Sequence, residues 1–509
     1  MATNILSYLE NSVQKYPDKI AFADIDSALT FSELESRSKA IGTSLACKLP
    51  PRSPAVFLME KSTALMAGFL GAVSAGCFYV LLDTKHPAAR LKSVLCVLEA
   101  QILITDTAHL NIAQSLDFAG QIVLLEDLAS AAIDDAALAA IRAQMLDIDP
   151  LYAIFTSGST GVPKGVVVSH RSTLDFIDTF TQTFGITHHD VIGNQAPFDF
   201  DVSVKDIYSG LCSGATVQII PRAFFSFPTK LMDFLCERKI TVLIWAVSAL
   251  CFVTTMKGLD YKVPHTLQKI MFSGEVMPIK HLNIWRHFLP QVQYVNLYGP
   301  TEITCNCTYY ILDRDYAESE VLPIGKAFFN EKVFLLDEND REILSADILG
   351  EICVSGTALS LGYYNDPNRT AQVFTQNPLN KYFTEPIYRT GDLAKYDSDG
   401  NLVYVTRKDF QIKHMGHRIE MGEIEAAFGA IDGVTRACCL YDAEKQRIIG
   451  CYEGSADKKF ILQALKQTLP FFMIPNSFVC LQTLPLTKNG KIDRTLLKEM
   501  TITKKKETP

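Results

Sequence analysis

The chain has 509 residues, 48% hydrophobic and 20% charged, the composition of an ordinary globular protein, and at roughly 150 residues per domain its length suggests about three structural units. A net charge of -8 and a pI near 5.7 give no broad basic surface for nucleic-acid phosphates, so no nucleic-acid partner is expected. The 13 cysteines are scattered without a C-x-x-C pair, and no basic-then-apolar leader opens the sequence, so a reducing cytoplasm is expected.

In chain order, residues 55–58 (Ala-Val-Phe-Leu) form the first strongly apolar strand pattern. Residues 62–82 (STALMAGFLGAVSAGCFYVLL) are long enough to suggest a membrane span. Their first half is rich in Ala and Gly, as close helix packing requires, and their second half is aromatic and β-branched after Gly76. The segment therefore predicts a buried helix followed by a core strand, with no membrane insertion. Strand patterns at 100–105, 121–125, 242–245 and 269–273 alternate with amphipathic stretches such as 228–239, which indicates α/β architecture with mostly parallel sheets. From about 331 to 405 the pattern changes to short strands punctuated by Gly, Asp and Asn, predicting a β-rich subdomain. After Asp409 helix and strand mix again, with Gly422-Glu-Ile-Glu-Ala-Ala-Phe opening a helix. A boundary near Arg407–Asp409 gives domains over 1–407 and 408–509. The tail Lys504-Lys505-Lys506 predicts a solvated terminus. Cys305 and Cys307 have no histidine close in sequence, so no zinc site is expected there.

Phe155-Thr-Ser-Gly-Ser-Thr-Gly-Val-Pro-Lys-Gly-Val follows an apolar strand and places hydroxyls, glycines and one lysine within a short loop. Glycines let backbone N–H groups converge on a phosphate, hydroxyls donate further bonds, and Lys164 supplies charge. The run is not a G-x-x-x-x-G-K-[ST] loop, because Lys164 follows Pro163 and precedes Gly165.

This run resembles the phosphate loop of the adenylate-forming superfamily of acyl-CoA synthetases, luciferases and nonribosomal peptide synthetase adenylation domains. Further segments resemble that family's motifs in the right order: Leu29-Thr-Phe-Ser-Glu-Leu, Ala75-Gly-Cys-Phe-Tyr-Val-Leu-Leu-Asp, Tyr298-Gly-Pro-Thr-Glu, Gly350-Glu-Ile-Cys-Val-Ser-Gly with Gly362-Tyr, Tyr388-Arg-Thr-Gly-Asp-Leu, residues 407–425 and Asn489-Gly-Lys-Ile-Asp-Arg. The resemblance implies a large N-terminal domain of two doubly wound α/β subdomains plus a β-rich subdomain, followed by a small mobile α+β C-terminal domain.

It also implies roles. ATP would be held by Thr156, Ser157, Gly158, Ser159, Thr160, Gly161 and Lys164 of the phosphate loop, with Tyr298 and Gly299 at the adenine, Thr301 at the α-phosphate, Asp392 on the ribose hydroxyls and Arg407 beside it. Glu302 would hold Mg²⁺, for which a hard carboxylate oxygen is the natural ligand. Lys491 would approach from the C-terminal domain and bridge the substrate carboxylate and the nucleotide. No general base is required, since a carboxylate is already an adequate nucleophile at pH 7 and catalysis is then mostly positioning and charge neutralisation. Asp409 matches the hinge about which the small domain rotates between the two half-reactions, and Gly416 matches the loop lining the pantetheine path. The family usually has Gly before the hinge-motif arginine; Thr406 stands there, which would stiffen the hinge if the position needs a positive φ.

Phe200-Asp-Val-Ser-Val-Lys-Asp-Ile-Tyr resembles the segment of amino-acid-activating members whose aspartate, here Asp201, pairs with the substrate's α-ammonium. Motif alignment places Val202, Lys205, Trp245, Met271, Ser273, Gly274, Leu297, Cys305 and Asn306 around the side-chain pocket. Lys205 suits an acidic or phosphorylated side chain, Ser273 and Asn306 suit a small polar one, and the segments at 149–157 and 200–208 resemble D-alanine carrier-protein ligases. The reading is therefore a stand-alone amino-acid adenylation enzyme, with D-alanine carrier-protein ligase or a coenzyme A ligase for a small acid as alternatives. With no carrier segment after Lys491, the acceptor is expected to be a phosphopantetheinylated carrier protein in trans.

Overall fold

The computed structural model describes residues 3–158, 162–409, 411–443, 445–486 and 492–503. The 62–82 segment shows how the sequence builds the fold. Ser62 caps the helix Thr63–Ser74 by accepting from Leu65 N–H, and glycines let this helix lie directly on the helix Phe31–Ala46. A β-carbon on Gly71 would fall 2.5 Å from Ile41 Cγ2. Gly76, at φ +73°, then turns the chain into the strand Phe78–Leu82. Among the described residues no helix is long and apolar enough to cross a membrane.

Two compact units form. The first comprises the chain through Thr84, Leu98–Ile154 and Gly165–Lys408; the second comprises Lys85–Val97, Phe155–Lys164 and the chain from Asp409. The first contains a nine-stranded sheet whose consecutive neighbours include Gln293–Tyr298, Lys269–Ser273, Val242–Ala246, Val191–Asn194 and Thr216–Ile219, all parallel. A seven-stranded sheet is built on Phe78–Leu82, Pro54–Leu58, Ile102–Thr105 and Gln121–Leu124, also parallel. One apolar core joins the two sheets through the helices Thr63–Ser74, His170–Phe184 and Val202–Ser213. A second core covers the opposite face of the nine-stranded sheet with the helices Pro228–Glu237, Val247–Thr255 and Ile279–Phe288. The β-rich region is a six-stranded antiparallel sheet over Glu331–Leu336, Glu342–Ile343, Gly350–Gly356, Phe374–Gln376, Pro386–Tyr396 and Leu402–Arg407.

In the second unit the hairpin Gln411–His414/His417–Glu420 turns on Met415 and Gly416, both at positive φ, the two-residue turn that strand twist favours. The helices Met421–Gly429 and Lys458–Thr468 pack Ile424, Phe428, Ile461 and Leu465 against the three-stranded sheet Val434–Asp442, Arg447–Gly454 and Ser477–Cys480. The cysteines are free, including buried Cys305 and Cys307.

Candidate active site

In the first unit, most of the residues expected around a substrate side chain converge at the carboxyl ends of parallel strands. Met271 and Ser273 lie on Lys269–Ser273, and Leu297 lies on the neighbouring strand in line with Ser273. Side chains alternate faces along a strand, so these three share the face that joins the inter-sheet core. Gly274 follows at φ +97°, a conformation that bends the chain away from the strand end. The helix Val202–Ser213 begins beside them, with Asp201 as its N-cap residue. Asp201 is buried, yet its side chain accepts no capping hydrogen bond from the helix, so capping does not account for it. Val202 is buried within the same first turn.

Trp245 does not join this group. It pairs with Phe272, one residue out of phase with Ser273, and belongs to the second core, where its Nε1 donates to Gly193 O at 2.8 Å. Ala246 holds the position level with Ser273. A one-residue offset moves a strand side chain to the other face, and motif alignment alone does not resolve that offset.

Lys205, one helical turn after Asp201, is fully buried. Its Nζ donates to Asn306 Oδ1 at 2.6 Å and to Ser273 Oγ at 3.5 Å. Burial, the largest influence, pushes the neighbouring Cys305 thiol up to about 12 despite the nearby Lys205 charge. Asp206 turns elsewhere: its Oδ2 accepts from Asn194 Nδ2 at 2.7 Å, and Asn194 Oδ1 accepts from Lys61 at 2.9 Å. Burial pushes Asp206 up to about 7, opposed by the Asn194 hydrogen bond and the Lys205 and Lys61 charges. Sequence reasoning gave Asn194 and Lys61 no role, because they lie far from Asp206 along the chain.

The segment carrying Cys305 and Asn306 is held by close backbone packing. A β-carbon on Gly299 would lie 2.5 Å from Asn306 Cα and 2.6 Å from Cys305 O. Thr304 adopts φ +68°, costly for a β-branched residue. Its hydroxyl donates to Ala358 O at 2.6 Å and its carbonyl accepts from Tyr152 OH at 3.1 Å, which hold it there.

Tyr298, Asp392 and Arg407 meet beside this segment. Tyr298 OH donates to Asp392 Oδ2 at 2.6 Å, and Arg407 Nη1 donates to Oδ1 at 2.7 Å. Asp392 and Arg407 are register partners on adjacent strands, so sheet pairing itself brings them together. Burial, reinforced by the Asp392 charge, holds the Tyr298 phenol well above its usual range. Thr301 and Glu302 start a short 3₁₀ turn, both buried, and Glu302 Oε1 accepts from Tyr363 OH at 2.7 Å. Tyr363 was legible only as part of a Gly-Tyr motif, with no role attached. An adjacent hydroxyl and carboxylate are hard oxygen donors that fit Mg²⁺. Thr406 pairs with Leu393 in an extended strand and has no positive φ, so the missing glycine strains nothing.

In the second unit, the described part of the phosphate loop is tied to the hairpin and helix that follow residue 409. Ser157 Oγ donates to Arg418 O at 2.7 Å and accepts from Glu420 N–H at 3.1 Å. Gly158 N–H donates to Glu423 Oε2 at 3.0 Å, and Arg90 Nη1 donates to Glu423 Oε1 at 2.7 Å. Burial raises the Glu423 carboxyl, with the Arg90 charge opposing. Lys164 Nζ stands 3.9 Å from Glu420. Among the described residues the buried Thr156 Oγ1 has no hydrogen-bond partner, as suits a hydroxyl that serves a ligand. Asp409 Oδ1 accepts from Gln411 N–H at 3.1 Å. Ser159, Thr160, Gly161 and Lys491 lie outside the described residues.

The family model described as AMP-binding enzyme matches residues 9–364. Zwittermicin A synthase ZmaJ of Bacillus cereus is 31% identical over 98% of this chain and 95% of its own length. Tyrocidine synthase 1 of Brevibacillus parabrevis is 29% identical over 98% of this chain, which spans only 45% of that longer protein. The solved structure of holo-PA1221, an NRPS protein containing adenylation and PCP domains, superimposes with a TM-score of 0.82 at 24% identity, covering 98% of this chain and 84% of that one.

Proposed function

The chain belongs to the AMP-binding enzyme family, with nonribosomal peptide synthetase adenylation domains among its relatives, and on that ground we propose that it is a stand-alone amino-acid adenylating enzyme that loads a carrier protein. In the first half-reaction the amino acid's carboxylate oxygen attacks the α-phosphorus of ATP. The bond to the β-phosphate breaks, leaving aminoacyl-AMP and pyrophosphate. In the second, a phosphopantetheine thiol on a carrier protein in trans attacks the acyl carbon, AMP departs, and a thioester forms with release of the thiol proton.

Asp201 is the observation that carries the amino-acid reading. It is 6% exposed, does not cap its own helix, and stands one turn from a lysine anchored to Ser273 and Asn306. A buried carboxylate gains from a cation beside it, and a substrate α-ammonium supplies one. Asp392, braced by Tyr298 and Arg407, accepts the ribose hydroxyls. Thr301 serves the α-phosphate, and Glu302 would hold Mg²⁺, which when bound offsets phosphate charge. Lys164 and the phosphate-loop hydroxyls serve the nucleotide phosphates, and Lys491 bridges carboxylate and nucleotide. Asp409 serves as the hinge and Gly416, in its tight turn, lines the pantetheine path.

Amino-acid-dependent ATP–pyrophosphate exchange, followed by mass spectrometry of the acyl acceptor, tests the proposal. Exchange with an amino acid and acylation of a pantetheinylated carrier are expected. Exchange only with fatty or aryl acids overturns the Asp201 argument, and acylation of free coenzyme A alone overturns the carrier.

A further inference from the structure

We infer that the amino acid taken by this site carries an anionic side chain, received by the ammonium group of Lys205. The inference rests on the amino-acid adenylation proposed above and adds the substrate class.

Asp201 and Lys205 are four residues apart at the start of one helix, so their side chains are neighbours on one face. Lys205 is 0% exposed, and the groups its ammonium meets, Asn306 Oδ1, Ser273 Oγ and the Cys305 thiol, are neutral. An ammonium has three N–H donors, and the contacts at Ser273, 3.5 Å away, and at the Cys305 thiol are weak ones that a charged acceptor can displace. Among the described residues no carboxylate lies within ion-pair distance of Lys205. Cys305 does not supply a counter-charge, because burial keeps its thiol protonated. Asp206 follows Lys205 in sequence, but successive helix residues point in different directions, and its carboxylate is bonded to Asn194, which Lys61 joins.

Charge balance then selects the substrate. An α-ammonium bound at Asp201 neutralises the carboxylate that stands on the Lys205 face. A neutral side chain would leave the buried ammonium of Lys205 with neutral acceptors alone, an expensive arrangement. An anionic side chain restores the balance and offers a charged acceptor in place of a weak neutral one. Residues one helical turn apart hold their β-carbons about 5–6 Å from each other, a span that an amino acid of aspartate or glutamate size can bridge. A phosphorylated side chain is the other source of the same charge.

The test is ATP–pyrophosphate exchange by the full chain with aspartate, glutamate and O-phosphoserine, each beside asparagine, glutamine or serine, and with D-alanine. An acidic amino acid is expected to give the highest kcat/KM, at least ~100-fold above its neutral counterpart. Whether carboxylate or phosphate wins identifies the source of the charge. Lys205→Met is expected to abolish that preference while leaving the KM for ATP unchanged. If the variant fails to fold, the ratio measured on the unmodified chain decides alone. Serine, D-alanine or another neutral amino acid as the best substrate overturns the inference and leaves amino-acid adenylation standing, as does a folded Lys205→Met that keeps the acid preference. Exchange with no amino acid, but with a fatty or aryl acid, instead overturns the reading on which the inference rests.

Discussion

Tyr298 OH donates to Asp392 Oδ2 at 2.6 Å while Arg407 fastens the other oxygen of the same carboxylate at 2.7 Å. Both oxygens of one buried group are thereby aimed, and the aromatic ring is oriented by the bond its hydroxyl makes. Tyr298→Phe keeps the ring and removes that bond. A hydrogen bond to a charged group is worth about 1.5–3 kcal/mol, so the KM for ATP is expected to rise about tenfold or more in steady-state exchange. Asp392→Ala should cost more, since it also removes the carboxylate to which Arg407 donates.

Gly299→Ala tests the close packing of the segment that carries Cys305 and Asn306. The added carbon meets backbone atoms at 2.5 Å and 2.6 Å, which have no free rotation with which to yield. Overpacking of this kind costs about 1–3 kcal/mol. The expected outcome is a loss of kcat/KM for the amino acid of about tenfold or more, together with a lower melting temperature by calorimetry.

Glu423 holds Arg90 with one oxygen and the Gly158 amide with the other. Glu423→Ala leaves a buried guanidinium without its partner, at a cost of about 3–5 kcal/mol in denaturant unfolding. Glu423→Gln keeps the acceptor oxygen and removes the charge, and should cost less.

His170 sets part of the acid sensitivity. It is fully buried, and burial, with the Arg142 charge adding, lowers it to about 3. A folded-state value below the unfolded one means that the unfolded chain takes up a proton first as the pH falls. The stabilising contribution is therefore complete above the unfolded value of about 6.5 and is lost progressively as the pH drops toward 3. From pH 6.5 to 5 the loss should be about 1.6 kcal/mol, the slope approaching roughly 1.4 kcal/mol per unit only below pH 6. Urea unfolding of His170→Gln should show a flatter dependence over that range.

Lys491→Ala is expected to lower ATP–pyrophosphate exchange about a hundredfold or more while thioester formation from preformed aminoacyl-AMP largely survives. Single-turnover measurement of both steps checks this. Equal loss of both contradicts its assigned role.

Much of this architecture was legible in the sequence because local patterns report local forces. The 62–82 segment divided correctly into helix and strand at Gly76, where an Ala/Gly-rich run gives way to an aromatic and β-branched one and the chain takes a φ of +73° that glycine adopts without strain. The strands at 242–246 and 269–273 were evident from apolar runs, and ordered motifs identified the family before any contact was known. Lys205 and Asp201 were placed in one pocket by the motif that carries them both.

Sequence left open which side chains face one another across the fold. Trp245 fell on the wrong side of its sheet because strand register, set by pairing with Lys269–Ser273, decides the face, and no residue announces its own register. Tyr363 against Glu302, and Asn194 between Asp206 and Lys61, join residues far apart in the chain. The family, the elements and the presence of a lysine beside the expected ammonium site all follow from the order of residues along the chain. That this lysine is sealed from water and bonded to neutral oxygens emerges only once the chain is folded. Burial and hydrogen-bond partners are collective outcomes of packing, and they turn a common surface residue into a charge that must be answered.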